Sequence, residues 1–151
     1  MEDEQQGIKG GAMPRYIDRV KLFTDGGCRG NPGAGAIGIR ILDENNNVLD
    51  EFAECIGETT NNRAEYSALI RGLECAASHT RGTVYSYLDS EFVIKQVNKE
   101  YRIRTAELRP FVHQVLDNMR LFTEVVFQHL PNTNPMIKKV DRLVKQALEG
   151  R

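Results

Sequence analysis

Asp25 lies at the junction between an apolar run and a glycine-rich segment. A carboxylate at such a junction limits what the chain can fold into. The run VKLFT at 20–24 is typical of a buried strand, and two glycines follow the aspartate. Carboxylates gathered at such junctions repel one another unless a divalent cation lies between them, which favours a magnesium-type site and phosphate chemistry. Other acids stand at comparable junctions of strands and helices: Glu65, Asp89 and Asp141.

The rest of the chain predicts a three-stranded meander followed by alternating helices and strands. This order implies an α/β fold, with helices packed on a mixed five-stranded sheet. We expect residues 18–151 to form one domain, and the polar, glycine-rich residues 1–17 to be a disordered tail or an expression remnant. The predicted strands are 20–24, 36–42, 48–56, 84–88 and 124–130, and the predicted helices are 62–78, 91–97, 110–121 and 136–148.

Each carboxylate taken alone has a plainer interpretation. Asp25 suits a turn, Glu65 suits the first turn of a helix, and Asp89 suits a helix cap. Asp141 suits a solvated helix face. The hypothesis of a shared site rests on all four together, because each occupies the expected junction of one topology.

Polar and basic segments adjoin these acids. The loop CRGNPGAG at 28–35 offers exposed backbone amides, and the helix entry TTNN at 59–62 has more hydrogen-bonding side chains than one N-cap requires. Such groups suit phosphates or sugar hydroxyls. We recognise one concentrated basic stretch, for which phosphate contact and a solvated face are equally open: Lys95, Lys99, Arg102, Arg104 and Arg109.

Composition excludes several classes of protein. A net charge of −1 gives no global field for polyanions, so any nucleic acid must be held by local groups. The three cysteines argue against a disulfide framework and fit a reducing compartment. No apolar stretch approaches the roughly 20 residues of a membrane span, and no signal-peptide core is present. We therefore expect a cytoplasmic monomer that does not act at a membrane.

Four motifs resemble those of type 1 ribonucleases H: TDGG at 24–27, GNPG at 30–33, TTNNRAE at 59–65 and DS at 89–90. The resemblance covers residues 20–148 and implies an RNase H-like fold. It implies an endonuclease that hydrolyses the RNA strand of RNA–DNA hybrids with two Mg²⁺ ions, or Mn²⁺, leaving 5′-phosphate and 3′-hydroxyl ends. By the same resemblance Asp25 would bridge both ions and Asp141 would complete the one that activates water. Glu65 and Asp89 would hold the ion at the leaving oxygen.

The resemblance also implies how the substrate is held. Asn31, Asn61 and Asn62 would read 2′-hydroxyls, which separate RNA from DNA, and Thr60 would grip a phosphate of the DNA strand. Further contacts are implied at Gly27, Cys28, Gly30 and Glu91. Glu91 stands where many members have Gln, and the tryptophan-rich basic protrusion of some members is missing. Two alternatives stay open: an RNase H-like binding module with little activity, and a DNA-directed nuclease of the same superfamily.

Overall fold

The computed structural model describes residues 15–98 and 106–150 as a mixed sheet with helices on both faces. The strand order is β3-β2-β1-β4-β5, in which β1 to β3 are antiparallel neighbours and β4 and β5 run parallel to β1, so the predicted fold class is confirmed. The strands are β1 Ile17–Cys28, β2 Gly33–Leu42, β3 Val48–Thr59, β4 Thr80–Leu88 and β5 Glu124–His129. The helices are α1 Asn61–Ala76, α2 Glu91–Val97, α3 Arg109–Met119 and α4 Pro135–Glu149, with a 3₁₀ turn at Ala106–Leu108.

Strand β1 continues past Asp25, where the sequence predicts a turn. Asp25 pairs with Gly38 of β2, and this pairing extends to Cys28. On its other edge, pairing with β4 ends at Phe23. The prediction was wrong because glycines that signal a turn in isolation are here accommodated in an antiparallel ladder. Asp25 therefore lies in a strand with one edge paired and the edge towards β4 open.

The side chains of β1 alternate between two cores. Leu22 packs in the larger core, which α1, α2 and α3 cover on one face of the sheet. Phe23 packs in a smaller core against Ile137 and Val140 of α4 on the other face. Because residues two apart in a strand share a face, Asp25 lies on the α4 side of the sheet, like Phe23.

Two glycines allow both helices to approach the sheet closely beside Asp25. A Cβ atom added to Gly26 would lie 2.8 Å from the backbone nitrogen of Glu65 in α1. On the opposite face, a Cβ atom added to Gly38 would lie 2.7 Å from the carbonyl oxygen of Val140 in α4. Atoms this close overlap, so α1 and α4 keep their positions because β1 and β2 lack side chains at these points.

Side-chain caps determine where the two site helices begin. Thr60 accepts a hydrogen bond from the backbone N–H of Arg63 at 3.3 Å, so α1 begins one residue before the predicted start. Asn134 accepts from the backbone N–H of Met136 at 2.9 Å and caps α4. Both caps satisfy backbone donors that helix geometry leaves without partners.

Some expectations fall on residues outside the described ranges. Residues 1–14 of the predicted tail, which covers 1–17, lie outside these ranges. The last residue of the predicted tail, Ile17, is the first residue of β1. Three members of the predicted basic stretch also lie outside the described ranges: Lys99, Arg102 and Arg104. Within the described part of the chain, no helix is both long enough and apolar enough to cross a bilayer.

The close approach at Gly38 can be tested by adding one methyl group. Gly38→Ala should lower the free energy of unfolding by about 1–3 kcal/mol, because the α4 backbone must move away from β2. Gly27→Ala is the matched control, since its added Cβ would lie 3.7 Å from Val144 Cγ1, an ordinary contact. We expect the control to change stability by less than about 0.5 kcal/mol in urea unfolding followed by circular dichroism. Equal stability of the two variants would show that α4 is not closely packed on β2.

Candidate active site

Four elements bring carboxylates to one place in the structure. Asp25 comes from β1, Glu65 from the second turn of α1, and Asp89 directly follows β4. One oxygen from each of these three side chains lies within 4.8 Å of the other two, and all three residues are partly buried. The fourth predicted acid, Asp141, comes from α4.

The end of β4 explains how side chains from opposite faces of the sheet meet. Asp25 lies on the α4 side, whereas α1, which carries Glu65, covers the other face. Strand β4 ends at Leu88, so the edge of β1 beside Asp25 is open. Glu65 reaches Asp25 at this open edge, and the chain leaving β4 brings Asp89 to the same point.

Asp141 adjoins Asp25 without belonging to the group of three. The Asp141 carboxyl is close enough to Asp25 to share a hydrogen bond with it and to raise its pKa by repulsion. Asp141 Oδ2 also lies 3.0 Å from Lys145 Nζ, one helical turn further along α4. The Asp141 carboxylate therefore has a cationic neighbour on the solvent side and an acidic neighbour on the inner side.

The clustered acids hold their protons unusually tightly. Burial, followed by repulsion from Asp89, Asp141 and Glu65, raises the pKa of Asp25 from 3.8 to about 8. Burial and repulsion from Asp89 raise the pKa of Glu65 from 4.5 to about 7. Burial also raises the pKa of Asp89, although His129 acts in the opposite direction. Such shifts are typical of carboxylates arranged to share a cation.

The donor set fits a magnesium-type ion. The three clustered side chains offer only carboxylate oxygens, which Mg²⁺ and Mn²⁺ prefer over softer ligands. The predicted metal ligands Asp25, Glu65 and Asp89 are thus brought together, and Asp141 stands next to them.

A groove of about 500 Å³ runs along the start of α1, and we call it the amide groove. Three asparagines and a threonine predicted to contact substrate line it, which places half of the eight predicted contacts on one surface. It is lined by Asn31, Thr60, Asn61, Asn62, Glu107 and Leu108.

Hydrogen bonds tie the β1–β2 loop to the start of α1 within this groove. Asn31 Oδ1 accepts the backbone N–H of Asn61 at 3.1 Å. The single S–H of Cys28 lies within donating distance of two acceptors, the carbonyl of Gly30 at 2.8 Å and Asn61 Oδ1 at 3.3 Å. Because the Asn31 oxygen is engaged, this side chain presents its NH₂ group as a donor. Hydrogen bonds therefore join the loop and the helix into one wall of polar groups.

Four predicted contact residues are not among those that line the amide groove: Gly27, Cys28, Gly30 and Glu91. Gly27 pairs with Ala36 inside the sheet, and Glu91 is an exposed residue at the first position of α2, after the Ser90 cap. Glu91 there interacts favourably with the helix dipole, so it has a structural role independent of substrate.

Two features of the site are not predicted from the sequence. Glu107 lines the amide groove and pairs with Arg63 of α1 at 3.1 Å, and no local pattern around Glu107 predicts this tertiary contact. Lys138 and Arg142 form a second basic surface on α4, which corrects the expectation of a single basic stretch. Their spacing of four residues on an amphipathic helix was the available signal.

Comparison with known proteins identifies the family. Residues 23–147 match the family model described as reverse transcriptase-like. Ribonuclease HI of Halobacterium salinarum is 31% identical over 137 residues, which cover 91% of this chain and 68% of the relative. The chain belongs to the type 1 ribonuclease H family.

Solved structures of ribonucleases H share the fold closely. The crystal structure of RNase H1 from Halobacterium salinarum superposes with a TM-score of 0.84 at 31% identity, covering 88% of this chain and 99% of that one. LC11-RNase H1, isolated from compost and solved in complex with an RNA/DNA hybrid, gives a TM-score of 0.78 at 35% identity, covering 87% and 97%.

The matched part of this ribonuclease H family member covers only a fraction of the length of some relatives. A bifunctional protein of Mycobacterium tuberculosis is 29% identical over 133 residues, which cover 87% of this chain and 36% of the relative. The chain thus spans about two thirds of the haloarchaeal relative and about a third of the mycobacterial one.

The raised pKa values predict a specific pH dependence of stability without metal. The folded protein keeps protons on Asp25 and Glu65 that the unfolded chain releases, since their pKa values rise to about 8 and about 7. The contribution of these two groups to the free energy of unfolding is therefore complete below about pH 4, and it is lost as the pH rises to about 8. Asp25→Asn should raise the melting temperature at pH 8.5 in chelator by at least about 2 °C, equivalent to roughly 1 kcal/mol.

The same substitution should have a much smaller effect at pH 4, where Asp25 is protonated in the folded protein and only about half ionised in the unfolded chain. Asp117→Asn, which changes an exposed aspartate on α3, is the control and should leave the melting temperature nearly unchanged at both pH values. A melting temperature for Asp25→Asn equal to or below that of the wild type at pH 8.5 would mean that the four acids do not repel one another.

Proposed function

We propose that this chain is a metal-dependent endoribonuclease that hydrolyses the RNA strand of RNA–DNA hybrids. The observation that carries the proposal is the meeting of Asp25, Glu65 and Asp89 within 4.8 Å in a member of the ribonuclease H family. The complex of LC11-RNase H1 with an RNA/DNA hybrid supports the choice of substrate. We further propose that residues 18–151 act as one domain and as a monomer in the cytoplasm, and the free cysteines fit a reducing compartment.

The carboxylates would hold two Mg²⁺ ions, with Mn²⁺ as a substitute. Glu65 and Asp89 would bind one ion, Asp141 would bind the other, and Asp25 would be shared. Such a pair of ions stabilises the attacking and leaving oxygens of an in-line displacement at phosphorus. The protein contributes the fixed positions of these acids, which β1, α1 and α4 hold against their mutual repulsion.

The amide groove would select RNA. Asn31, Asn61 and Asn62 carry donors and acceptors that can pair with 2′-hydroxyls, which DNA lacks. Thr60 uses its oxygen as the α1 cap, so its O–H remains available to donate to a phosphate. Backbone amides near Gly27, Cys28 and Gly30 would complete the contacts, because small residues allow a strand to approach closely.

A cleavage assay tests the proposal against the two alternatives. Labelled RNA–DNA hybrid, double-stranded RNA and double-stranded DNA are incubated with the protein in Mg²⁺ or in chelator. We expect cleavage of the RNA in the hybrid only, and only with the divalent ion. Asp25→Asn should reduce the rate more than about tenfold, a barrier increase above ~1.4 kcal/mol, while the fold stays intact by circular dichroism.

The outcomes of this assay separate the candidates. Cleavage of double-stranded DNA would favour a DNA-directed nuclease, and hybrid binding without cleavage would favour a binding module. Asp117→Asn serves again as the control and should cleave at the wild-type rate. A rate for Asp25→Asn above about a tenth of wild type would remove Asp25 from the proposed metal site.

Glu91→Gln should strengthen hybrid binding and leave the chemical step in place. Glu91 is exposed, begins α2, and follows Asp89 by two residues, so its charge lies near any phosphate at the carboxylates. Glutamine removes that charge and adds a donor. We expect a lower KM at low salt with kcat nearly unchanged, and a smaller difference at high salt.

The matched control for this change is Glu124→Gln. Glu124 is exposed at the opposite end of β5 from the site, since β5 pairs Glu124 with Thr83 and His129 with Leu88. It should leave KM unchanged at both salt concentrations. If Glu91→Gln has an equal or higher KM than the wild type at low salt, Glu91 does not face the substrate.

A further inference from the structure

A second groove opens beside the carboxylates along α4, and we call it the α4 groove. It has a volume of about 450 Å³, comparable with sites that hold small ligands. Because Asp89 belongs both to this groove and to the carboxylate cluster, the groove reaches the proposed reaction centre. The polar residues that line it are Asp89, Asn132, Lys138, Asp141, Arg142 and Lys145.

The cations of this groove share one face of α4. Lys138, Arg142 and Lys145 are spaced by four and three residues, which places them in a row along a helix. Val140 and Val144 occupy the buried side of the same helix, so the row faces solvent. Three cations therefore stand against two acids in the α4 groove, although the whole chain has a net charge of −1.

Two of these cations are available to a ligand. Lys145 pairs with Asp141 at 3.0 Å. The side chains of Lys138 and Arg142 are exposed, and neither has an ion pair with any residue in the described ranges 15–98 and 106–150. By contrast, the amide groove has no lysine or arginine among its lining residues. The two grooves thus offer different chemistry: amide and hydroxyl groups beside the paired Glu107 in one, and unpaired positive charge in the other.

We propose that Lys138 and Arg142 bind the phosphodiester backbone of the RNA strand beside the scissile linkage. This inference rests on the proposed function, because the strand that is cut must lie at the carboxylates. A strand continuing into the α4 groove places its next phosphates against these two side chains. Arginine matches phosphate oxygens with paired N–H donors, and lysine adds a point charge. Both charges offset the repulsion between the strand and the clustered acids.

Equilibrium binding tests the site without relying on turnover. Asp25→Asn is used as the background, so that fluorescence anisotropy of a labelled hybrid in Mg²⁺ reports binding alone. Lys138→Gln with Arg142→Gln should raise Kd roughly tenfold at moderate salt and lower the slope of log Kd against log salt by about 1–2, since each phosphate contact contributes about 0.9. Lys139→Gln, an exposed cation on α4 outside the groove, should leave Kd and slope nearly unchanged.

Neutral linkages then identify the strand and the position. Methylphosphonates are placed one at a time in the RNA strand or in the DNA strand around the cleavage position. Neutral linkages beside that position in the RNA strand should weaken binding to the background protein and have little effect on the double variant. An unchanged salt slope in the double variant would overturn the proposal, and so would sensitivity confined to the DNA strand.

These results can be separated from a failure of the proposed function. If the wild-type protein cleaves the hybrid but the double variant keeps the same slope of log Kd against log salt, the proposed nuclease activity is supported and the proposed α4 site is wrong. A second outcome is that the wild-type protein does not cleave the hybrid, while the double variant has a lower salt slope and no longer responds to neutral linkages in the RNA strand. In that case Lys138 and Arg142 contact nucleic acid, but the proposed nuclease activity is wrong.

Discussion

The site depends on the close approach of two helix backbones to bare positions in the sheet. Gly26 admits the start of α1 on one face, and Gly38 admits α4 on the other. When its acids are ionised, the cluster itself pushes the helices apart, because like charges about 4 Å apart repel by a few kcal/mol at an effective dielectric of ~20. Apolar packing must hold them there, and each large buried side chain contributes about 1.5–3 kcal/mol. Side chains such as Leu69 of α1 and Ile137 of α4 therefore outweigh the repulsion.

The two grooves divide the recognition of nucleic acid between two kinds of interaction. Polar groups in the amide groove can distinguish sugars, because hydrogen bonds depend on the presence of a particular hydroxyl. Cations in the α4 groove can position a strand but cannot identify its sequence or sugar, because every nucleotide has a phosphate. A chain with a net charge of −1 lacks a long-range field for polyanions, so these local groups must supply both functions.

The sequence predicts the element order and the meeting of the acids well, because strong periodicity and turn residues mark most junctions. It fails where tertiary pairing overrides a local signal. The glycines after Asp25 read as a turn, but β2 pairs with them and extends β1 to Cys28. Glu107 enters the amide groove through an ion pair with Arg63, 44 positions away in the chain, which local patterns cannot show. The spacing of the α4 cations predicts a row on one helix face, but only the fold shows that this row lines a groove beside the carboxylates.

The position of Asp141 follows from a balance between two neighbours. Lys145 attracts its carboxylate towards solvent, and Asp25, when it is ionised, repels it from the inner side. Both partners of the Lys145 pair are substantially exposed, with 70% and 45% of their side-chain surface accessible, so the pair contributes at most about 1 kcal/mol. A divalent cation among the acids would convert the inner repulsion into attraction, and a surface pair of that strength would not oppose the change. The group of three in the structure and the four ligands of the proposed function are therefore compatible, because the Asp141 carboxyl already lies within hydrogen-bonding reach of Asp25.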